Sequence, residues 1–271
     1  MDGIRVRRHA LPGAGPAEAG AVAEIMLDRP EAMNAIDTAM ARRLADVCGE
    51  IGGDGSVSSV VLTAAPCRAF CAGADLKERN RMSDEEVLAQ RPAFRAAFGA
   101  VLGLPQPAVA AVHGFALGGG CELALSCDLI VADETAVFGL PETTVGLVPG
   151  GGGTQLALRR LGAGKAADLV LTGRRLGIDE AERFGLVDRR VPAGDADARA
   201  LEVAQQIAAN SPVAVRAAKR ALRRGWGVGL DAGLEIEDSA WRTAAMSADR
   251  REGIAAFAEK RQPQWPGLAA P

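Results

Sequence analysis

Two glutamates stand out by their surroundings. Glu122 follows Gly118-Gly119-Gly120-Cys121, and Glu142 closes Gly139-Leu140-Pro141-Glu142. Both segments are apolar and bounded by Gly or Pro, where an unpaired carboxylate is costly to bury. A lone Glu in either place is most often a surface charge or a helix cap. A pair in this company points to chemistry, because two nearby carboxylates in a dry cleft can be held in different protonation states. That is the requirement for delivering water as hydroxide and proton.

Two further segments could supply backbone donors. In His113-Gly114-Phe115-Ala116-Leu117-Gly118-Gly119-Gly120-Cys121-Glu122, glycines let a ligand approach the main chain closely. The segment leads into an apolar stretch that can be helical. The N–H groups of a helix start are unpaired and lie at the positive end of its dipole, which suits a developing oxyanion. The competing reading is a tight turn packed for its own sake. The second segment is Phe70-Cys71-Ala72-Gly73-Ala74-Asp75-Leu76-Lys77, in which Asp75 reads first as a cap for the following turn. Dinucleotide binding is disfavoured, because GxGxxG spacing is absent after the strand and in Gly150 to Gly153. Gly164-Lys165 lacks the rest of a P-loop.

The remaining composition narrows the choice. There is no Tyr to act as a general acid. The only histidines are His9 and His113, and the five cysteines form no CxxC pair, so no metal site is expected. An odd number of thiols fits a reduced, cytoplasmic protein. The balance of 31 basic and 34 acidic residues offers no global attraction for nucleic acid or an anionic membrane. Arg5, Arg7 and Arg8 have no apolar run behind them, which argues against a signal peptide. No apolar run of about 18 residues predicts a membrane span.

These groups need elements to position them. Ile4 to Ala10 and Ala21 to Leu27 read as strands, with a Pro- and Gly-rich loop from Leu11 to Gly20 between them. Val57 to Leu62, Ala108 to Val112 and Leu129 to Ala132 are short apolar runs typical of buried strands. Asp37 to Ile51 carries Met40, Leu44, Val47, Cys48 and Ile51 at helical spacing, with Asp37 as cap. Ser83 and Glu86 form a capping-box pattern before a helix to about Leu102, which Pro92 could kink or divide. The alternation predicts an α/β fold. After Pro192 only helices are expected, over 195–209, 212–224, 230–245 and 249–260. The chain therefore divides into a core over 1–200 and a helical region over 201–271.

With these residues in view, the chain resembles the enoyl-CoA hydratase/isomerase (crotonase) superfamily over nearly its whole length. The resemblance rests on Asp28-Arg29-Pro30-Glu31-Ala32-Met33-Asn34-Ala35, Phe70 to Lys77, Ala116 to Asp128, Phe138 to Gln155 and Phe257-Ala258-Glu259-Lys260-Arg261. It implies a crotonase-like spiral of ββα units and a C-terminal helical trimerisation region, giving a homotrimer or a dimer of trimers. It places the oxyanion-hole amides on Ala74 and Gly119 and the two hydratase carboxylates on Glu122 and Glu142. The substrate would be an acyl-CoA thioester, with coenzyme A as its carrier part and no redox or metal cofactor required. Coenzyme A would lie near Ala32, Met33 and Ala72. Lys77 would approach its phosphates, joined by Lys260 from a neighbouring subunit. Glu31 stands where some hydratases have Lys.

Within the superfamily, Asp75 to Arg79 and Pro149 to Gln155 are most similar to the methylglutaconyl-CoA hydratases, which take a branched acidic acyl group. Arg79 or Arg81 could pair with such a carboxylate, and the Phe94/Phe98 helix face would shape the acyl pocket. Some members of that branch bind RNA through a lysine-rich first helix. Here the equivalent helix, Asp37 to Ile51, has only Arg42 and Arg43, too few cations for strong phosphate neutralisation. An isomerase or hydrolase on the same fold is the third reading, since fold does not fix function.

Overall fold

A computed structural model describes residues 2–11 and 20–267. Most of the loop expected over Leu11 to Gly20 lies outside the described residues. Ten strands form two sheets. The larger contains β1 (Ile4–His9), β2 (Ala21–Leu27), β3 (Val57–Ala64), β5 (Ala108–Val112), β7 (Leu129–Asp133) and β10 (Arg189–Val191), in the order β1-β2-β3-β5-β7-β10. Only the β1–β2 pair is antiparallel. The smaller sheet is β4 (Ala69–Cys71), β6 (Phe115–Leu117), β8 (Val137–Gly139) and β9 (Arg175–Gly177), in that order. Successive ββα turns thus advance both sheets together, as the family resemblance implies.

Every residue of β3 and β5 is buried, as expected where both faces of a parallel sheet are covered. Side chains alternate between the faces. Val60, Leu62, Ala108, Ala110 and Val112 join the main core with the helices Thr38–Gly53 and Asp84–Leu102. Val61, Val109 and Ala111 face the opposite way and pack with Val203, Ala204 and Ala208 of the helix Ala196–Ala208. Residue 200, where the sequence suggested a division, falls inside that helix, and both of its halves pack on the sheet. The helices that follow it are Pro212–Gly225, Leu230–Ala245 and Ala248–Glu259.

The expected caps are present. Asp37 accepts from the Met40 N–H at 2.8 Å, and Ser83 and Glu86 make a reciprocal capping box. Pro92 lies six residues beyond Glu86 inside the helix Asp84–Leu102, which continues through it. No described helix is long and apolar enough to cross a membrane.

Candidate active site

The site is built where the two sheets deliver loops to one place. Strand β4 runs into Ala72-Gly73-Ala74-Asp75. Ile36 pairs with Ala74 as a parallel bridge: the Ile36 N–H donates to Gly73 O and the Asp75 N–H to Ile36 O, each at 2.8 Å. Bonds on both flanks of Ala74 aim at Ile36, so the Ala74 N–H points to the other side. Asp75 caps the short helix Leu76–Arg79, as its position in the sequence suggested.

Strand β6 turns through Gly118, at φ 52°, into the helix Gly119–Ser126. That turn interlocks with the first loop. A Cβ on Gly120 would lie 2.0 Å from Cys71 O, and one on Gly73 would lie 2.9 Å from Leu117 O. A Cβ on Gly119 would stand 3.7 Å from the Ala74 nitrogen. These glycines therefore let the helix start come against the Ala74 loop. Gly119 is the first residue of its helix, so its N–H has no intrahelical acceptor. Among the described residues, neither it nor the Ala74 N–H has a main-chain partner.

Glu122 lies in the first turn of the same helix and is buried. Its Oε1 accepts from the Gly151 and Gly153 N–H groups, both at 2.7 Å. A Cβ on Gly153 would meet that oxygen at 2.9 Å, so glycine is needed for the approach. Burial raises the Glu122 carboxyl above its usual range, and the two N–H bonds and the Arg91 and Arg79 charges pull it back. Glu142 comes from the turn Pro141–Val145 after β8. Its Oε1 would be 2.9 Å from a Cβ on Gly118, and its Oε2 is buried with no protein partner. Burial, reinforced by the Glu122 charge, pushes its carboxyl up to about 7.

Arg79 also belongs to this cleft. It is half-buried over the Phe94 ring at 5.0 Å and donates from Nε to Gln90 Oε1 at 3.1 Å. The charges of both glutamates act on it, while burial lowers its pKa. Arg81, the other arginine considered, is exposed. Arg91 was not singled out in the sequence, where it reads as a solvated helix residue. Its Nη1 would sit 2.8 Å from a Cβ on Gly150, and its charge acts on Glu122.

The residues expected around coenzyme A fall into two groups. The Ala72 N–H donates to Met33 O at 3.1 Å, which joins the Ala32-Met33 turn to the Ala72 loop. Lys77 is exposed just beyond this junction. Lys260 is exposed at the end of the helix Ala248–Glu259, and no described hydrogen bond or ion pair ties its ammonium to this surface. No cluster of three His, Cys, Asp or Glu side chains with metal-binding geometry occurs among the described residues. A cavity of about 900 Å³ beside Leu102, Leu125 and Trp226 touches neither Glu122 nor Glu142.

Residues 17–268 match the family described as enoyl-CoA hydratase/isomerase. The chain belongs to that family. It is 39% identical over 243 residues to the short-chain-enoyl-CoA hydratase of Clostridium acetobutylicum, covering 90% of this chain and 93% of that one. It is 43% identical over 268 residues to the human enoyl-CoA hydratase domain-containing protein 2, mitochondrial, covering 97% and 90%. The crystal structure of an enoyl-CoA hydratase from Bacillus anthracis superposes with a TM-score of 0.91 at 41% identity, over 98% of this chain and all of that one. The fold is thus the crotonase fold, and the protein is an enzyme of the hydratase family acting on an acyl-CoA thioester.

Proposed function

We propose that the protein adds water across the 2,3 double bond of an enoyl-CoA thioester, with Glu122 and Glu142 as its acid/base pair. The observation that carries this is the placement of two glutamates, Glu122 buried and Glu142 half-buried with one oxygen fully covered, beside two N–H groups without main-chain partners. The thioester oxygen would sit between the Ala74 and Gly119 amides, which polarises the conjugated alkene and stabilises the enolate that water addition creates. One such donor is typically worth ~2.7–4 kcal/mol in the barrier.

The two glutamates are suited to different tasks. Two N–H bonds on one oxygen of Glu122 favour its ionised form, leaving Oε2 to take a proton from the attacking water. Glu142, raised to about 7 with an unpartnered buried oxygen, holds a proton near neutral pH and supplies the α-carbon. Coenzyme A would rest on Ala32, Met33 and Ala72, with Lys77, and Lys260 of a second subunit in a homotrimer or dimer of trimers, near its phosphates. The five free cysteines suit a reducing compartment such as the cytoplasm.

Within this reading, Arg79 favours an acyl group that carries its own carboxylate, as in methylglutaconyl-CoA. Neither of its terminal nitrogens is committed to an acid among the described residues, and it lies close enough to feel both glutamates. A hydration assay across crotonyl-, methylglutaconyl- and long-chain enoyl-CoA tests both levels. Turnover of none of them removes the hydratase reading. A preference for crotonyl-CoA over the acidic substrate that Arg79→Gln leaves unchanged removes the acidic one.

A further inference from the structure

Asn34 makes an unusual set of bonds for a side chain in no catalytic position. It is fully buried, and its backbone, like that of Met33, is left-handed at φ 53°. Non-glycine residues adopt that conformation at a cost, and Asn tolerates it best. Its Nδ2 donates to Ala65 O at 3.0 Å and Ala69 O at 2.9 Å, with Cys67 Sγ at 3.3 Å. Its Oδ1 accepts from the Arg29 N–H at 3.0 Å. One amide therefore ties the 29–36 turn to both ends of the loop that opens β4.

The same turn grips the far side of β4. Met33 O accepts from Ala72, Gly73 O accepts from Ile36, and Ile36 O accepts from Asp75. Arg29 closes the arrangement: it donates to Ala35 O at 2.6 Å and bridges Asp37 and Asp75 at 3.2 and 3.1 Å. The Ala74 N–H is turned away from Ile36, and its nitrogen lies 3.7 Å from where a Cβ on Gly119 would stand. Its direction is set by what holds Ile36 against Gly73 and Asp75, because a strand that slips relative to its neighbour re-aims every group on it.

We infer that Asn34, with Arg29 and Asp75, is a positioning residue for the Ala74 amide, acting through the Ile36 bridge and touching no reacting atom. The inference rests on the hydratase reading, since it gives the Ala74 N–H a task. Preorganised donors lose their effect when their aim is off by a fraction of an ångström, because the oxyanion forms at one point.

The test separates aim from fold. Asn34→Ala removes the amide. Asp75→Asn keeps an oxygen to cap Lys77 and Glu78 but weakens the pull of Arg29, so it serves as the variant that folds if Asn34→Ala does not. Each is compared with wild type in crotonyl-CoA hydration and by circular dichroism. The absorption of a bound chromophoric enoyl-CoA, which moves to longer wavelength when its carbonyl is polarised, is also compared. The expected result is kcat lowered roughly tenfold or more for Asn34→Ala and severalfold for Asp75→Asn, against ~10²–10³ for outright loss of an oxyanion donor. KM should stay within about threefold, and the chromophore shift should shrink in step with kcat. Folded variants with wild-type kcat and an undiminished shift overturn the inference alone. So does a loss confined to KM. If wild type itself neither hydrates crotonyl-CoA nor shifts the chromophore, the hydratase reading fails, and the inference with it.

Discussion

The charge of Glu122 helps to hold a proton on Glu142. Burial is the larger cause of the rise of Glu142 to about 7, and the neighbouring carboxylate adds to it. The two sites titrate as a pair, so a rate profile reports values that belong to both. With Glu122 ionised as base and Glu142 protonated as acid, hydration needs a state bearing one proton. kcat/KM for hydration should therefore fall at low pH as Glu122 is protonated, and fall above about pH 7 as Glu142 loses its proton. A stopped-flow or steady-state profile from pH 5 to 9 checks this. A rate that keeps rising through pH 9 would remove Glu142 as the acid.

Replacing either carboxyl should disable the pair. Glu122→Gln and Glu142→Gln should each lower kcat by about 10²–10⁴-fold while the fold survives, since a positioned acid or base contributes that much. Retention of more than about a tenth of wild-type turnover in either variant would exclude that residue from the role.

The same Glu142→Gln substitution should change how stability depends on pH. The folded pKa of about 7 lies above the ordinary, unfolded value of 4.5. A raised carboxyl contributes stability that is present below the unfolded value and is lost as pH rises through the folded one. Near pH 8 wild type must bury an ionised carboxylate, and a neutral amide avoids this. For a chain of this size each kcal/mol is worth roughly 2–4 °C. Thermal melts should show Glu142→Gln several degrees above wild type at pH 8, with the difference closing by pH 5. Parallel curves at both pH values would mean that Glu142 is not perturbed in the folded protein.

Much of this site is legible in the sequence because the residues that carry it sit among glycines and prolines with few other uses. The strands β3 and β5 are readable for the same kind of reason: short runs rich in Val or Ala bounded by turn residues. The three-residue strands β4, β6, β8, β9 and β10 are not, since three residues are too short for any period to show. The partners of Glu122 escape notice for a different reason. They are the main-chain N–H groups of Gly151 and Gly153, about thirty positions away, and a backbone donor leaves no trace in residue type. Arg91 is silent as well, because an arginine on an exposed helix face reads as solvated. Asn34 is visible only as a member of the Asp28 to Ala35 motif, and the partners of its Nδ2, on Ala65, Cys67 and Ala69, are brought to it by tertiary structure.

Gly119 offers a steric test of the oxyanion hole. An added Cβ would come within 3.2 Å of Phe98 Cζ and 3.7 Å of the Ala74 nitrogen, in the space between the two amides. Gly119→Val should therefore lower kcat at least about a hundredfold, as loss of an oxyanion donor does, with the helix retained by circular dichroism. A variant with near-normal turnover would place the thioester oxygen elsewhere.

The surface of the C-terminal helices leads to the last expectation. Phe257 is 87% exposed, Leu222 75% and Trp241 67%, and Leu230, Leu234, Met246 and Ile254 are exposed beside them in the sequence. Single exposed apolar residues are ordinary, but this many large ones within some forty residues are hard to reconcile with a chain alone in water. Closed rotational symmetry is the usual way in which such surfaces are covered. The protein should therefore run in light scattering at three or six times the chain mass of 27.9 kDa. Phe257→Asp should shift that mass downward, because burying an unpaired carboxylate at a subunit contact is costly. If Lys260 reaches the coenzyme A phosphates of a neighbouring subunit, the same variant should raise KM for the acyl-CoA as assembly is lost. A stable monomer at micromolar concentration with full activity would overturn both the assembly and the assignment of Lys260.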